Sequence, residues 1–369
     1  MIEEIKKLWR GTDKLMLLLI TFASVFGIVI IASTTQMYGT SKFVIIQTGA
    51  FIVGLIGMFI TMIPDYNSFT PVSKYLYAIS TLFLVIVLFV GVGADEAGAQ
   101  SWIRFGPIGI QPSEFVKILF IITFSCHLST VEDYVNSPFP LLGLLAHAGF
   151  LVFLILLQPD YGTALVYIFM TLCMLFTAKI SYKYIIGALC AFVPIGTLMW
   201  FFVLKPYQKN RFLDFLHPER DMSGSGYQVI QSKVAIGSGG FTGKGIMHGS
   251  LTQSGALPAS HTDFIFSAAG EEFGFVGCVL IILILFVIIF KCFYTARRAR
   301  TTLGSYMCVG VAAMLLFHIY ENIAMCMGLM PVTGIPLPFF SYGGSSILST
   351  LLAMGLVMNV SARSGTANI

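Results

Sequence analysis

The sequence predicts an all-α polytopic membrane protein with about ten transmembrane helices and one large extracellular loop. Three observations predict it. Of the 369 residues, 57% are apolar and only 10% are charged, whereas a soluble domain carries ~25% charged and ~45–50% apolar residues. The apolar residues fall in unbroken runs that reach the ~20 residues a helix needs to cross ~30 Å of hydrocarbon, not in the alternation of a β-barrel. The basic residues collect on alternate connections between these runs. The composition excludes a water-soluble enzyme, a disordered chain and a nucleic-acid binder that relies on a basic surface.

The elements follow in order. Residues 1–14 are polar and basic, with Lys6, Lys7, Arg10 and Lys14. The run Leu15–Ser33 exceeds the 7–15-residue core of a signal peptide and reads as a retained first helix. Further spans are expected at about 43–63, 75–93, 112–130, 140–158, 162–178, 184–204, 271–291, 304–328 and 340–360. With the N-terminus inside, the cytoplasmic segments hold Lys6, Lys7, Arg10, Lys14, Lys74, Lys179, Lys183, Lys291, Arg297, Arg298, Arg300 and Arg363. The short outer loops hold only Lys42 and Arg104, and Lys117 lies inside a span. Short-loop Lys/Arg bias sets orientation. Both termini are therefore expected in the cytoplasm, the loop at about 205–262 outside, and residues 1–369 as a single membrane domain. Seven cysteines lie in or near apolar runs with no C-x-x-C pair, so no zinc or disulfide framework is expected.

The loop of about 58 residues is too long to be a simple connection. Tyr227, Ile230 and Val234 stand at helical spacing and predict a short helix on the membrane surface. Nine glycines between residues 223 and 255 allow close backbone approach to a ligand. Lys205, Lys209, Arg211, Arg220, Lys233 and Lys244 outnumber Asp214, Glu219 and Asp221, which suits an anion such as a diphosphate. The run Gly237–Gly245 lacks the spacing of a Walker motif.

Charges at membrane depth cost at least ~2.5–3.5 kcal/mol each, so each needs a reason. Glu114 and Lys117, at i and i+3 after Pro112, share a helix face and either neutralise each other or line an outward polar pocket. Asp160, in Gln158-Pro-Asp-Tyr-Gly-Thr163, either caps the next helix or meets a substrate. Asp263, in His261-Thr-Asp-Phe-Ile265, sits where the loop meets the eighth span. It is either a helix cap or a carboxylate suited to general-base work. Glu271 and Glu272 should not face lipid. Prolines and glycines in 331–346 break any helix at membrane depth, which is tolerated only inside protein or around a wet cavity. His318, Glu321 and Asn322 read as a packed polar cluster on the ninth span. All but that cluster lie toward the outer face, which implies an outward-open polar cavity.

These segments resemble the SEDS (shape, elongation, division and sporulation) family, the RodA/FtsW proteins. The motifs are Gln111-Pro-Ser-Glu114, Gln158–Thr163, Gly226–Gly240, His261–Phe266 with Gly270-Glu-Glu272, and Pro336–Ser345, in family order. The text around Asn210–Glu219 and Gly240–Gly249 looks more like the RodA elongation branch. One departure is Ser101 before Trp102, where many members carry Arg; Arg104 follows instead.

The resemblance implies a peptidoglycan glycosyltransferase that polymerises lipid II on the outer face of a bacterial plasma membrane. Asp263 matches the family's catalytic carboxylate. Glu114, Lys117 and Asp160 match its polar cavity, and Arg104, Gln231, Lys233, His261, Tyr342, Gly343 and Ser345 are further expected substrate-binding residues. The resemblance fixes no cofactor, and a divalent cation (Mg or Mn) at the diphosphate is left open. The expected partners are a class B penicillin-binding protein, other elongation-complex membrane proteins and membrane lipids, with no nucleic acid. The rival classes are a flippase for lipid-linked precursor, which the same cavity would serve, and a non-catalytic scaffold.

Overall fold

The structure is a computed structural model. It describes residues 11–93, 100–105, 108–203, 209, 213, 215–221 and 224–364. The sequence readings on Lys6, Lys7, Arg10, Lys205, Arg211 and Asp214 lie outside the described residues.

Ten long helices answer to the ten expected spans among the described residues. They are α1 (Lys14–Thr34), α2 (Lys42–Met62), α3 (Phe69–Val90), α4 (Pro112–Thr130), α5 (Pro138–Leu157) and α6 (Tyr161–Thr177). Next come α7 (Tyr182–Leu198), two short loop helices α8 (Ser225–Ser238) and α9 (Ser250–Gln253), then α10 (Ile265–Arg298), α11 (Thr302–Cys326) and α12 (Gly344–Ser364). Eight of these are long and apolar enough to cross a membrane; α6 is shorter at 17 residues. Two strands, β1 (Ile103–Phe105) and β2 (Ile108–Ile110), pair antiparallel with Arg104 opposite Gly109.

Local chemistry sets the helix starts. Asp13 accepts from the Met16 amide at 3.0 Å, Thr301 from the Gly304 amide at 3.3 Å and Asp160 from the Thr163 amide at 3.1 Å. Pro112 and Pro138 occupy the first turn of α4 and α5, where a missing N–H costs nothing. Within α7, Pro194 is followed by a π-helical turn over Met199–Val203.

Three boundaries move from their expected places. Helix α3 begins at Phe69, because Lys74 falls in its second turn and is exposed there. Helix α10 begins at Ile265, because Glu271 is bonded by the loop and Glu272 by Ser33 of α1, so neither charge faces lipid or ends the helix. Helix α12 begins only at Gly344. Phe339 and Phe340 are buried in a turn, with Phe339 at φ +69°.

The helices divide into lining and centre. Helix α12 packs along α2, α11 packs against α10, α6 and α4, and α3 packs against α4. The central stretches of α4, α11 and α12 are 72%, 78% and 78% buried, against 22% for α2. The rows of exposed Ile, Val and Phe on α2, α3 and α5 are what a lipid-facing surface requires. The polar residues therefore concentrate on α4, α11 and α12.

Candidate active site

The centre holds a closed charge network. Lys117 Nζ lies 2.6 Å from Glu114 Oε1, as the i, i+3 spacing predicts, and 2.8 Å from His318 Nε2 on α11. The Ser349 hydroxyl of α12 donates to Glu114 Oε2 at 2.8 Å. His318 Nδ1 faces the Met314 carbonyl at 2.7 Å, which fixes the ring. All four residues are buried. Of the two readings of Glu114 and Lys117, the structure shows the self-neutralising pair, and His318 of the ninth-span cluster completes its network. The physical reason is desolvation: a buried ion pair persists only if its remaining hydrogen-bonding positions are filled. Ser349 was missed by sequence reasoning; its only signal is that it stands one helical turn beyond Ser345.

A second polar layer lies beside this network. Gln111 Nε2 donates to Asp160 Oδ2 at 3.1 Å, and Asp160 Oδ1 caps α6. Both sequence readings of Asp160 thus remain compatible with its place. Partial burial pushes its carboxyl up despite the Thr163 bonds. The Gln111 amide donates to Ser345 Oγ at 3.3 Å, and Ser345 donates to the Gly109 carbonyl at 3.3 Å. Ser345 so pins the hairpin, with exposed Arg104, to the start of α12. Gln47, a lone amide within apolar α2, accepts from the Gly343 amide at 3.0 Å and donates to the Ser341 carbonyl at 3.1 Å. It was missed, although a buried amide among apolar residues is itself a signal.

Asp263 lies at the rim, in the turn before α10, and is half-buried. Asn322 Nδ2 on α11 donates at 2.8 Å to the Asp263 carbonyl and at 2.8 Å to the Ile335 carbonyl. One buried amide thus holds the Asp263 backbone and the irregular strap 331–343 together. The strap contributes Gly334 at φ +76°, where a Cβ would lie 3.6 Å from Asp263 Oδ2. At Gly162, near Asp160, a Cβ would lie 3.2 Å from Ile335 Cγ1. Glu321 Oε1 accepts from Thr333 at 2.8 Å. The strap is thus the wall that Asp160 and Asp263 share. Ser341 donates to the Thr262 carbonyl at 2.7 Å, and the Tyr342 amide donates to the His261 carbonyl at 2.8 Å. Burial lowers the affinity of His261 for a proton and raises the Tyr342 phenol.

The glycine-rich run has a different task from the one expected. Gly274 breaks α10 with φ +65° and ψ −161°. The amides of Phe275 and Val276 donate to the carbonyls of Gly240 and Phe241 at 3.0 and 3.2 Å. The amides of Lys244 and Gly245 donate to the carbonyls of Glu271 and Glu272 at 3.0 and 2.9 Å. The run is a splint that replaces the helix bonds lost at the break, and close approach is why glycine is needed there. A Cβ on Gly243 would sit 2.2 Å from the Glu272 carbonyl oxygen.

Glu271 is buried and accepts from Lys244 Nζ at 2.8 Å, from the Leu251 and Thr252 amides at 2.9 Å each, and from the Thr252 hydroxyl at 2.7 Å. Lys244 is therefore engaged by Glu271. Glu272 is buried as well and accepts from Ser33 of α1.

Helix α8 also departs from expectation. It buries Gly226, Val229, Ser232 and Ala235 against α10, while Val234 is exposed. Small residues won because Ser232 must reach the Cys326 carbonyl, at 2.6 Å. Gln231 is half-buried and Lys233 exposed on this helix, with the Lys233 stem passing Gly328. Among the described residues, no group of three or more His, Cys, Asp or Glu is arranged to hold a metal ion.

Comparisons with known proteins agree with this architecture. The family model described as cell cycle protein, FtsW/RodA/SpoVE, matches residues 13–366. A probable peptidoglycan glycosyltransferase FtsW of Trichlorobacter lovleyi is 35% identical, covering 98% of this chain and 97% of its own. The peptidoglycan glycosyltransferase MrdB of Escherichia coli K12 is 37% identical over 85% of this chain and 84% of its own. Stage V sporulation protein E of Bacillus subtilis is 38% identical over 84% of each. Among solved structures, a chain of a peptidoglycan synthase complex superposes with TM-score 0.81 at 31% identity, covering 96% of this chain and 99% of that one. The rod shape determining protein RodA of Thermus thermophilus gives TM-score 0.71 at 26% identity, covering 97% and 99%. On the extent of these matches, the chain belongs to the FtsW/RodA/SpoVE family of multi-pass membrane proteins.

Proposed function

We propose that this chain polymerises lipid II into glycan strands at the outer face of the plasma membrane, with Asp263 as general base. The chain is a peptidoglycan glycosyltransferase, in keeping with the names of its FtsW and MrdB relatives. The observation that carries the residue assignment is the setting of Asp263. It is a half-buried carboxylate whose backbone is clamped by Asn322, facing the exposed Gly334 of an irregular strap. A clamped backbone and a partly open side chain are what proton abstraction from a bound hydroxyl needs.

Asp263 takes the proton from the acceptor sugar's 4-hydroxyl. The oxygen attacks the donor's anomeric carbon with inversion, and undecaprenyl diphosphate leaves. The diphosphate is a stable leaving group, so one base suffices. Lys233 and Arg104, both exposed, are assigned to the leaving charge; Lys244 and Lys117 are held in ion pairs with Glu271 and Glu114. Asp160, with Gln111, lines the other side of the strap and contacts the substrate there. Among the described residues no group of three or more His, Cys, Asp or Glu gathers a metal site, and no step is routed through a cation.

The outside position of Asp263 and the 205–262 loop is supported by twelve basic residues on one side against two on the other. A class B penicillin-binding protein is the proposed partner, supported by the likeness to a peptidoglycan synthase complex. Identities of 35%, 37% and 38% to three differently named relatives do not single out a branch. The proposed elongation role rests on the loop text around Asn210–Glu219.

The test is polymerisation of purified lipid II, with and without the partner, by wild type and Asp263→Ala. Loss of about 10²–10⁴-fold in turnover is expected for removal of a general base. An Asp263→Ala enzyme that still makes polymer at the wild-type rate overturns the assignment. A flippase would keep translocating lipid II irrespective of its polymerisation.

A further inference from the structure

An aromatic cluster stands directly beside Asp263 on the outer rim. Helix α1 ends in a 3₁₀ turn, Gln36–Tyr38, closed by Gly39 at φ +61°. Met37 of that turn tucks against Gly255, where a Cβ would meet its methyl at 2.7 Å. This brings Tyr38 over the turn that carries His261 and Asp263. The Tyr38 ring is 5.8 Å from His261, edge-on at 80°, and 5.5 Å from Phe43. Phe43 is 5.0 Å from His261 and 5.2 Å from Tyr342, and His261 is 5.7 Å from Tyr342. Gln47, one helical turn beyond Phe43, fixes the Ser341–Gly343 backbone, so two elements hold the cluster in register.

Two features of the cluster point to a ligand. Tyr38 is 48% exposed although its neighbours are packed, which leaves one ring available at the mouth. His261 Nδ1 is buried with no hydrogen-bond partner, and burial keeps the imidazole neutral at neutral pH. Four uncharged rings bring no positive charge to a diphosphate. They match an amphipathic ring, apolar on its face and polar at its edge, which is the chemistry of a sugar.

We propose that Tyr38, supported by Phe43, His261 and Tyr342, is a stacking platform for the acceptor's sugar ring, which it presents to Asp263. The proposal rests on the glycosyltransferase reading and names its acceptor subsite. Tyr38 is a specificity and positioning residue that touches substrate without taking part in proton transfer.

The test uses full-length purified protein. Steady-state polymerisation of lipid II is measured for Tyr38→Ala, Tyr38→Phe and Tyr38→Lys. Tyr38→Ala is expected to raise KM about tenfold with little change in kcat, the size of one lost ring stack. Tyr38→Phe keeps the ring and restores KM. Tyr38→Lys keeps a headgroup anchor but not the ring, and is expected to behave like Tyr38→Ala.

Saturation-transfer NMR with the soluble N-acetylglucosamine–N-acetylmuramic acid disaccharide is run in the Asp263→Asn background. It should show sugar ring protons contacted with Tyr38 present and lost in Tyr38→Ala. Unchanged KM in Tyr38→Ala, or rescue by Tyr38→Lys, overturns the platform and leaves an interfacial anchor. Polymerisation retained by Asp263→Asn overturns the base assignment alone, because the disaccharide contact is read without turnover.

Discussion

The Glu114–Lys117–His318–Ser349 network and the Asp263 rim are both polar and both built on α11, yet they are built in opposite ways. The network is saturated: Glu114 oxygens, the Lys117 ammonium and both His318 nitrogens all have partners, and all four residues are buried. At the rim, neighbouring groups are spent on fixing the backbone. Asn322, Ser341 and Tyr342 bond to backbone carbonyls of Asp263, Thr262 and His261. His261 Nδ1 has no partner, and Asp263 is half-buried. Buried, paired charges give a rigid frame; a fixed backbone carrying half-buried side chains suits chemistry. The contrast separates residues whose loss harms folding from residues whose loss harms turnover.

The contrast can be broken by experiment. The largest effect expected is on turnover. Asp263→Asn should lose about 10²–10⁴-fold in rate while melting within a degree or two of wild type, read by fluorescence thermal shift. A large fall in melting temperature would instead class Asp263 with the frame.

Lys117→Met should cost about 3–5 kcal/mol of stability, because Glu114 is left charged and buried without its partner. Adding Glu114→Gln in the same chain should return part of it. Failure of the double variant to recover would mean that the network is not primarily electrostatic.

Gly274→Ala should destabilise by about 1–3 kcal/mol or more. Its φ is +65°, and a Cβ would lie 2.3 Å from the Gly243 nitrogen. Limited proteolysis between Gly237 and Gly255 should report the released splint, and unchanged protection would count against it.

Asn322→Ala removes donors from two buried carbonyls at about 1–3 kcal/mol in total. It should lower kcat more than it raises KM, because it frees the Asp263 backbone. An effect on stability with kcat untouched would refute that coupling.

The smallest effect is a pH dependence. The folded protein holds His261 with a pKa below its ordinary value of about 6.5. Below that value the unfolded chain takes up the proton first, so this contribution to stability is complete above about pH 6.5. It is lost as pH falls toward the folded pKa. His261→Phe should flatten the melting-temperature profile over that acid range relative to wild type.

Much of this was legible in the sequence for particular reasons. Glu114 and Lys117 pair because i, i+3 spacing on a helix leaves them little choice. Asp160 caps α6 as an Asp before a helix commonly does. Glu271 and Glu272 are out of lipid, as desolvation requires. The glycine run Gly237–Gly245 misled: glycine signals close approach, and composition cannot say whether a ligand or another strand of backbone approaches. Helix α8 covers the expected residues but turns inward the stripe Gly226, Val229, Ser232 and Ala235 instead of Tyr227, Ile230 and Val234.

By itself the sequence determined a polytopic all-α membrane fold, with spans expected where the structure has ten long helices among the described residues. The spans are set by hydrocarbon thickness and the cost of moving charge across it, and both are read along a single stretch of chain. Only the tertiary structure decided who meets whom. Lys117 finds His318 across 201 positions, Glu114 finds Ser349 across 235, and Gln47 finds Ser341 across 294. The same holds for Tyr38 over His261 and for the glycine run across the break in α10. Hydropathy and periodicity say which face of a helix is buried, but not which buried face it meets. In a membrane, lipid tails are as apolar as the helices, so polar pairing and close packing of small residues choose the neighbours.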